Sequence, residues 1–312
     1  MKNTVVNING QISTGEAALV SVFDRSYLYG DSLYEVVRTY HGKYFGLDEH
    51  LERMNSSARL CHMELDQSNE HYKQEMYRTY QEFQNLTGQK KTEVYCRIIV
   101  SRGVGKIGFG QLNLLTPTQY TIIVMPLDAP TPQQFEKGLY LKVAQRLRND
   151  RRALDPAMKS GNYLNSLLAY LESVEEHRSG NEEWPQYSKV PGTADDALMC
   201  NFDAHITEGT TFNIFYVKNG IVVTPPLDIG ILDGITRAEI IKICQKLEIE
   251  CREVRFPKER LYEADEVFIS SSIKEVFPVS RVDDHTIHGG RPGPVTKKLA
   301  EAFKKWITDH NE

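Results

Sequence analysis

Residues 208–237 read EGTTFNIFYVKNGIVVTPPLDIGILDGITR. Two apolar runs, FNIFYVK and IVVT, flank Asn219-Gly220. That pair suits the type I′ turn of a β-hairpin, because both residues tolerate positive φ. Further on, Gly234 leads into TRAEIIKICQKLEI, whose apolar spacing is helical. A helix that starts this way can aim the backbone amides of Ile235 and Thr236 at an anion, with the Thr236 hydroxyl beside them. A plain helix cap would look similar, so by itself the signal is modest.

The same pattern continues outward. VVNINGQI (with Asn9-Gly10), KTEVYCRIIVS, YTIIVMPL, LYLKVAQRL and DEVFIS read as strands. DEHLERMNSSARL reads as a helix with Asp48 as N-cap. NYLNSLLAYLESVEEHRSG places Leu164, Leu167, Leu168 and Leu171 at helical spacing and closes with Gly180. GPVTKKLAEAFKKWI is a further helix. Strands mixed with hairpins and segregated helices indicate an α/β protein of the α+β type, without regular βαβ alternation. The stretch LDAPTPQQFEKG has two prolines and no periodicity. We therefore expect a small N-terminal domain over 1–127, a linker over 128–138 and a larger C-terminal domain over 139–312. Residues 180–197 read as a long surface loop.

The chain of 312 residues is long enough for two such cores. A net charge of −5 gives no electrostatic reason to expect nucleic acid or an anionic membrane as partner. The N-terminus MKNTVVNING lacks the apolar core of a secretory signal, and no run reaches the roughly 18 apolar residues of a membrane helix. Five cysteines without a C-x-x-C spacing fit a reducing cytoplasm and argue against a disulfide framework or a metal site.

One motif misleads. Gly103-x-Gly105-x-x-Gly108 follows the strand VYCRIIVS and formally matches the dinucleotide fingerprint. That fingerprint needs a helix next, and QLNLLTPTQY offers a proline and little periodicity. A mobile glycine loop is the better expectation.

The opening stretch, together with SYLYGDSLYEVVR, AMKSGNYL and RPGPVTKKLAEAF, resembles the class IV, or fold type IV, pyridoxal-phosphate aminotransferases over nearly the whole chain. The likeness is greatest to branched-chain aminotransferases, with some features of D-amino-acid aminotransferases. It implies two α/β domains with pyridoxal 5′-phosphate in the cleft between them. It also implies a homodimer or larger assembly, in which the loop near Ile107 to Phe109 reaches the partner's active site.

In such enzymes one lysine forms an imine with the cofactor and then moves the substrate's α-proton; the matching residue is Lys159. A catalytic amine needs a free lone pair, and a helix N-terminus would disfavour its protonated form. Glu208, spaced from Asn213 as Glu-x-x-x-x-Asn, matches the carboxylate that holds the pyridine nitrogen's proton. Tyr163 matches the tyrosine at the cofactor's phenolic oxygen. Ile235, Thr236, Ser272 and Arg53 match the cofactor's remaining contacts, Arg53 at the phosphate. Spacing alone sets Arg53 off the stripe Leu51, Met54, Ala58, Cys61 and makes it solvated, so its assignment rests on the resemblance.

For substrate, Tyr95-Cys96-Arg97 matches the branched-chain Tyr-x-Arg. Tyr95 and the amides of Ser272 and Ile273 would then take the carboxylate. Arg97 would face acidic side chains, allowing 2-oxoglutarate as acceptor beside apolar L-amino acids as donors. The D-amino-acid family's Arg-x-His trap falls on Lys106 and Gly108 and is absent. Tyr34-Glu35-Val36 departs from the branched-chain Phe-Glu-Gly: Val36 narrows the pocket wall and Tyr34 adds a polar contact. Phe109 is bulky where branched-chain enzymes carry an aliphatic residue. A D-amino acid or (R)-amine transaminase is the alternative, and an aminodeoxychorismate lyase is disfavoured by Tyr95 and Arg97.

Overall fold

A computed structural model describes residues 3–88, 92–179 and 186–310. Two compact units emerge. The first holds the chain to Ala129, together with Met158–Asn162 and the chain from Ile307 onward; the second holds Pro130–Ala157 and Tyr163–Trp306.

Chain order begins with β1 (Val5–Ile8), β2 (Gln11–Thr14), α1 (Arg25–Tyr29), β3 (Ser32–Tyr40) and β4 (Lys43–Tyr44). Next come α2 (Leu47–Leu60), α3 (Asn69–Thr87), β5 (Val94–Ser101) and β6 (Gln119–Pro126). The six strands form an antiparallel sheet in the order β2-β1-β6-β5-β3-β4. Asn9 and Gly10 both take positive φ, as the β1–β2 hairpin requires. Register pairs Tyr34 with Ile99, Val36 with Arg97 and Arg38 with Tyr95. Side chains alternate along a strand, so these six share one face. The opposite face carries Leu33, Val37, Cys96, Ile98 and Val100, which pack in one core with Leu51 and Met54 of α2 and with Tyr72, Met76 and Phe83 of α3.

The second unit runs α4 (Pro132–Lys137), β7 (Leu139–Val143), α5 (Leu164–Ser173), β8 (Glu176–Ser179), β9 (Gln186–Lys189), β10 (Asp196–Cys200), β11 (Ile206–Gly209), β12 (Asn213–Lys218) and β13 (Ile221–Thr224). It continues with α6 (Ile235–Lys246), β14 (Cys251–Glu253), α7 (Glu259–Tyr262), β15 (Glu266–Ser271), β16 (Glu275–Val282), β17 (His285–Thr286) and, up to Trp306, α8 (Pro294–His310). The main sheet has the order β11-β10-β7-β16-β15-β12-β13-β14, with β17 on β16. It is mixed: β7 runs parallel to β10 and β16, while the hairpin β12–β13 is antiparallel as its Asn219-Gly220 turn demands. No described helix is long and apolar enough to cross a membrane.

Several expectations need correction. Gly46, not Asp48, caps α2; Asp48 lies in its first turn, where a carboxylate faces the positive end of the helix. The helix expected to reach Gly180 stops at Ser173, where Val174 turns extended, and Glu176–Ser179 pairs with Gln186–Lys189. Part of the stretch expected as a loop, 186–189, is therefore strand, and 180–185 lies outside the described residues. The 128–138 stretch contains α4, because Thr131 and Gln134 close a capping box around Pro132.

The leucine spacing on α5 is present but faces outward. Ser166, Ala169 and Ser173 are buried, while Leu164, Leu167 and Leu171 are exposed. At the glycine loop no helix follows, only a single 3-10 turn over Gln111–Asn113. The glycines serve close packing: a Cβ on Gly103 would press on the Pro117 carbonyl, and one on Gly105 on the Asn113 carbonyl.

Candidate active site

In the first unit, residues 158–162 cross β3. Tyr34 N donates to the Lys159 carbonyl at 3.1 Å, Gly161 N donates to the Ser32 carbonyl at 2.7 Å, and Ser160 bridges Leu33. A Cβ on Gly161 would collide with the Ser32 hydroxyl, so only glycine lets the two segments lie this close. Lys159 N also donates to the Ser57 hydroxyl at 3.0 Å. This extended backbone corrects the expectation of a lysine at a helix mouth: α5 begins only at Leu164, so its N-terminal turn does not include Lys159.

The crossing delivers Lys159 Nζ to the Tyr34 hydroxyl, to which it donates at 2.9 Å. Tyr34 is 5% exposed, and the Arg97 guanidinium lies 4.2 Å from its ring centre. Burial pushes the Tyr95 hydroxyl above its ordinary pKa, while the charge of Arg97 and a hydrogen bond from it pull the other way. Lys159, Tyr34, Arg97 and Tyr95 thus form one cluster on one face of β3 and β5. Arg97 Nε is buried without a hydrogen-bond partner among the described residues.

The other face of β3 holds Glu35, 1% exposed. Arg53 Nε donates to Glu35 Oε1 at 2.8 Å and an Arg53 terminal nitrogen donates to Oε2 at 2.6 Å; His50 Nδ1 lies 2.7 Å from Oε2. Burial alone would raise the Glu35 pKa, but the charges and hydrogen bonds of Arg53 and then His50 bring it down to about 2. Burial holds His50 below its ordinary pKa, against the pull of Glu35. The solvated arginine that spacing suggests is therefore wrong for Arg53, whose side chain is 11% exposed. A helix with a second acidic face to satisfy does not reveal itself in the apolar stripe. Sequence reading missed His50 altogether; the only available signal was its i, i+3 spacing from Arg53 beneath a strand glutamate.

In the second unit Glu208 is 4% exposed at the end of β11. Arg148, also missed by sequence reading, donates to Glu208 Oε1 at 2.9 Å and to Asn165 Oδ1 at 3.2 Å. Leu232 N donates to Glu208 Oε2 at 3.0 Å, and Asn213 Nδ2 donates to the Leu232 carbonyl at 3.0 Å. The Glu-x-x-x-x-Asn spacing thus grips the loop ahead of α6. Gly234 ends that loop; a Cβ there would strike the Asn213 amide. Gly234 caps α6 with no side-chain hydrogen bond, and the first turn has no acidic residue. Its Ile235 and Thr236 amides lie in the first turn, where backbone N–H groups have no partner within the helix. Tyr163 is half-buried at the N-cap of α5, its pKa pushed up to about 12 by burial and then by the charge of Glu208. Ser272 and Ile273 sit in the turn joining β15 to β16, beyond Ser270, whose buried hydroxyl has no partner among the described residues and which pairs with Asn213.

The family model described as amino-transferase class IV matches residues 32–178 and 191–282. A Methanocaldococcus jannaschii protein provisionally named a branched-chain-amino-acid aminotransferase is 35% identical over 306 residues, covering 96% of this chain and 97% of the relative. A D-alanine aminotransferase of Bacillus licheniformis is 30% identical over 302 residues, covering 97% and 96%. Among solved structures, the T.th. branched-chain amino acid aminotransferase complexed with N-(5′-phosphopyridoxyl)-L-glutamate superposes with a TM-score of 0.82 at 28% identity, covering 98% and 94%.

The chain belongs to the class IV aminotransferases. It is a fold type IV enzyme of branched-chain aminotransferase-like character, and its cofactor is pyridoxal 5′-phosphate. The residues fit that group. The buried carboxylate of Glu208, braced by Arg148, suits a protonated pyridine nitrogen; the uncapped start of α6 suits a phosphate; the Ser270 hydroxyl, in the same sheet, lacks a partner among the described residues.

Proposed function

We propose that the enzyme moves the amino group of branched-chain or similar apolar L-amino acids to 2-oxoglutarate, with Lys159 as the amine that engages the cofactor. One observation carries this reading: Arg97, its Nε buried and unpaired among the described residues, shares a strand face with Tyr95 and with Tyr34, to which Lys159 donates. A guanidinium on the ring of the amine's partner suits the second carboxylate of glutamate or 2-oxoglutarate, while the rest of the pocket takes an apolar side chain.

When bound, pyridoxal phosphate supplies the electron sink that makes the donor's α-proton acidic. Lys159 Nζ would take that proton from the donor's α-carbon and hold it for its return. Glu208 would accept the hydrogen bond of a protonated ring nitrogen, and Arg148 beside it favours the ionised carboxylate. Tyr163, kept protonated by burial and by Glu208, would donate a hydrogen bond to the cofactor. The Ile235 and Thr236 amides and Ser272 would hold the phosphate, and the resemblance would give Arg53 the same role. Tyr95 and the amides of Ser272 and Ile273 orient the donor's carboxylate.

Tyr34 and Val36 favour a second reading, a D-amino acid or (R)-amine transaminase. Val36 lies opposite Arg97 and narrows the face where a branched side chain would sit. The deciding experiment follows the cofactor's absorbance after L-leucine, D-alanine or (R)-1-phenylethylamine is added separately. Bleaching by L-leucine alone supports the first reading, and bleaching chiefly by either of the others replaces it with the second.

The same proposal includes a homodimer in the cytoplasm. Leu19, Val22, Phe23, Ile107, Phe109 and Leu112 are large, apolar and exposed, as a surface that meets a second copy requires. Light scattering at micromolar concentration checks it, and a monomer mass refutes it.

A further inference from the structure

We infer that the Tyr34 hydroxyl is a catalytic group that accepts a hydrogen bond from Lys159 as its amine gains the proton. Beyond the substrate contact expected of Tyr34, this gives it a part in the proton transfer itself; it rests on Lys159 as the proton carrier. Two bonds tie the residues together: the Tyr34 amide holds the Lys159 carbonyl, and the Lys159 amine donates to the Tyr34 oxygen at 2.9 Å. The Ser57 hydroxyl fixes the lysine backbone from α2, so the amine's reach to Tyr34 is set from both ends. Tyr34 is held in turn, with the Arg97 guanidinium on its ring and its side chain almost wholly buried.

When Lys159 takes the α-proton, the C–H bond breaks and an N–H bond forms on Nζ; the bound cofactor would draw off the electron pair left on carbon. The lysine ends that step as an ammonium. An ammonium in a buried site needs an acceptor, and a hydrogen bond to a charged donor is about twice as strong as a neutral one. The phenolic oxygen supplies that acceptor without adding a negative charge that would hold Lys159 protonated between turnovers. Two cationic or titratable groups stand close by: Arg97, on the Tyr34 ring, and His50, which feels the lysine's charge. A guanidinium has no acceptor atom, and His50 Nδ1 is already engaged with Glu35.

Tyr34→Phe keeps the ring and its stacking on Arg97 while removing only the acceptor. The rate of the donor half-reaction should fall about 10- to 100-fold with little change in KM. The primary isotope effect from α-deuterated donor should grow, because proton transfer becomes more fully rate-limiting. Cofactor-free protein gives a second readout: labelling of Lys159 by trinitrobenzenesulfonate, followed by mass spectrometry across pH. Loss of the acceptor should move the labelling midpoint to lower pH. A raised KM with unchanged isotope effect and labelling midpoint would overturn the inference and leave Tyr34 as a substrate contact. If Tyr34→Phe fails to fold, Tyr34→Met takes its place in the same measurements. The donor is whichever bleaches the wild type fastest, and a wild type that no donor bleaches refutes the transaminase reading itself.

Discussion

Arg53 on α2 grips Glu35 on β3 through two hydrogen bonds of 2.8 and 2.6 Å, and His50, one helical turn away, lies against the same carboxylate. A helix and a strand are thereby cross-tied by one buried acid. The tie fixes the direction of the guanidinium that we assign to the phosphate.

Replacing Glu35 by glutamine keeps its size and removes its charge. Breaking a buried pair from one side costs about 3–5 kcal/mol, because the partner stays behind uncompensated. Urea unfolding of the cofactor-free protein should show that loss, and equilibrium dialysis should show weaker retention of pyridoxal phosphate. Wild-type values in both would mean that Arg53 is oriented by something else.

Acid should act through the same cluster. The Glu35 pKa is depressed from 4.5 to about 2 in the folded protein. Its stabilisation is therefore full above pH 4.5 and is lost as pH falls toward 2, an effect on the order of 3 kcal/mol. The His50 pKa is also depressed, by burial, so the folded state resists protonation that the unfolded chain accepts below about 6.5. Both slopes have the same sign, and stability should decline on the acid side of neutrality. Thermal midpoints between about pH 7 and 3 for wild type and Glu35→Gln separate them: the variant should lose the steeper portion below 4.5.

At Gly234 the constraint is space. A methyl group there meets the Asn213 amide, which holds the Leu232 carbonyl. Gly234→Ala should displace the loop ahead of α6 and weaken cofactor retention at least tenfold, while costing about 1–3 kcal/mol of stability. Unchanged retention measured by dialysis would separate the α6 start from the phosphate.

Arg148→Gln removes the cation beside Glu208. The carboxylate then loses the charge that favours its ionised form, and the chemical step should slow about 10- to 100-fold with KM nearly constant. A KM effect alone would assign Arg148 to substrate binding.

Local signals were legible where one residue type decides the geometry. Asn9-Gly10 and Asn219-Gly220 announced their hairpins, since few other pairs accept two positive φ values. Gly234 ahead of a helical spacing announced the start of α6. The residues that only tertiary pairing recruits were not legible. Arg148 follows a strand and reaches Glu208 sixty positions later, and nothing local marks it. Arg53 looked solvated because the apolar stripe of α2 records contact with the core and is silent about a buried carboxylate beside it. Lys159 was legible by its flanking motif but not by its setting: pairing of 158–162 with β3 depends on Ser32, far upstream, accepting a glycine at 161. The leucines of α5 show the limit of periodicity, which gives spacing without saying which face is covered.

The alternation of β3 has an evolutionary consequence. Tyr34 and Val36 look toward the amine and Arg97, while Glu35 between them looks back to α2. Neighbouring codons thus answer to separate selections. On the proposed function, a lineage can exchange residues 34 and 36 to change its diet of amines while codon 35 stays pinned by the helix behind it. Insertion of a single residue in this strand would exchange the two roles at once and forfeit both. Diversification along this strand is therefore open to substitution and closed to changes of length.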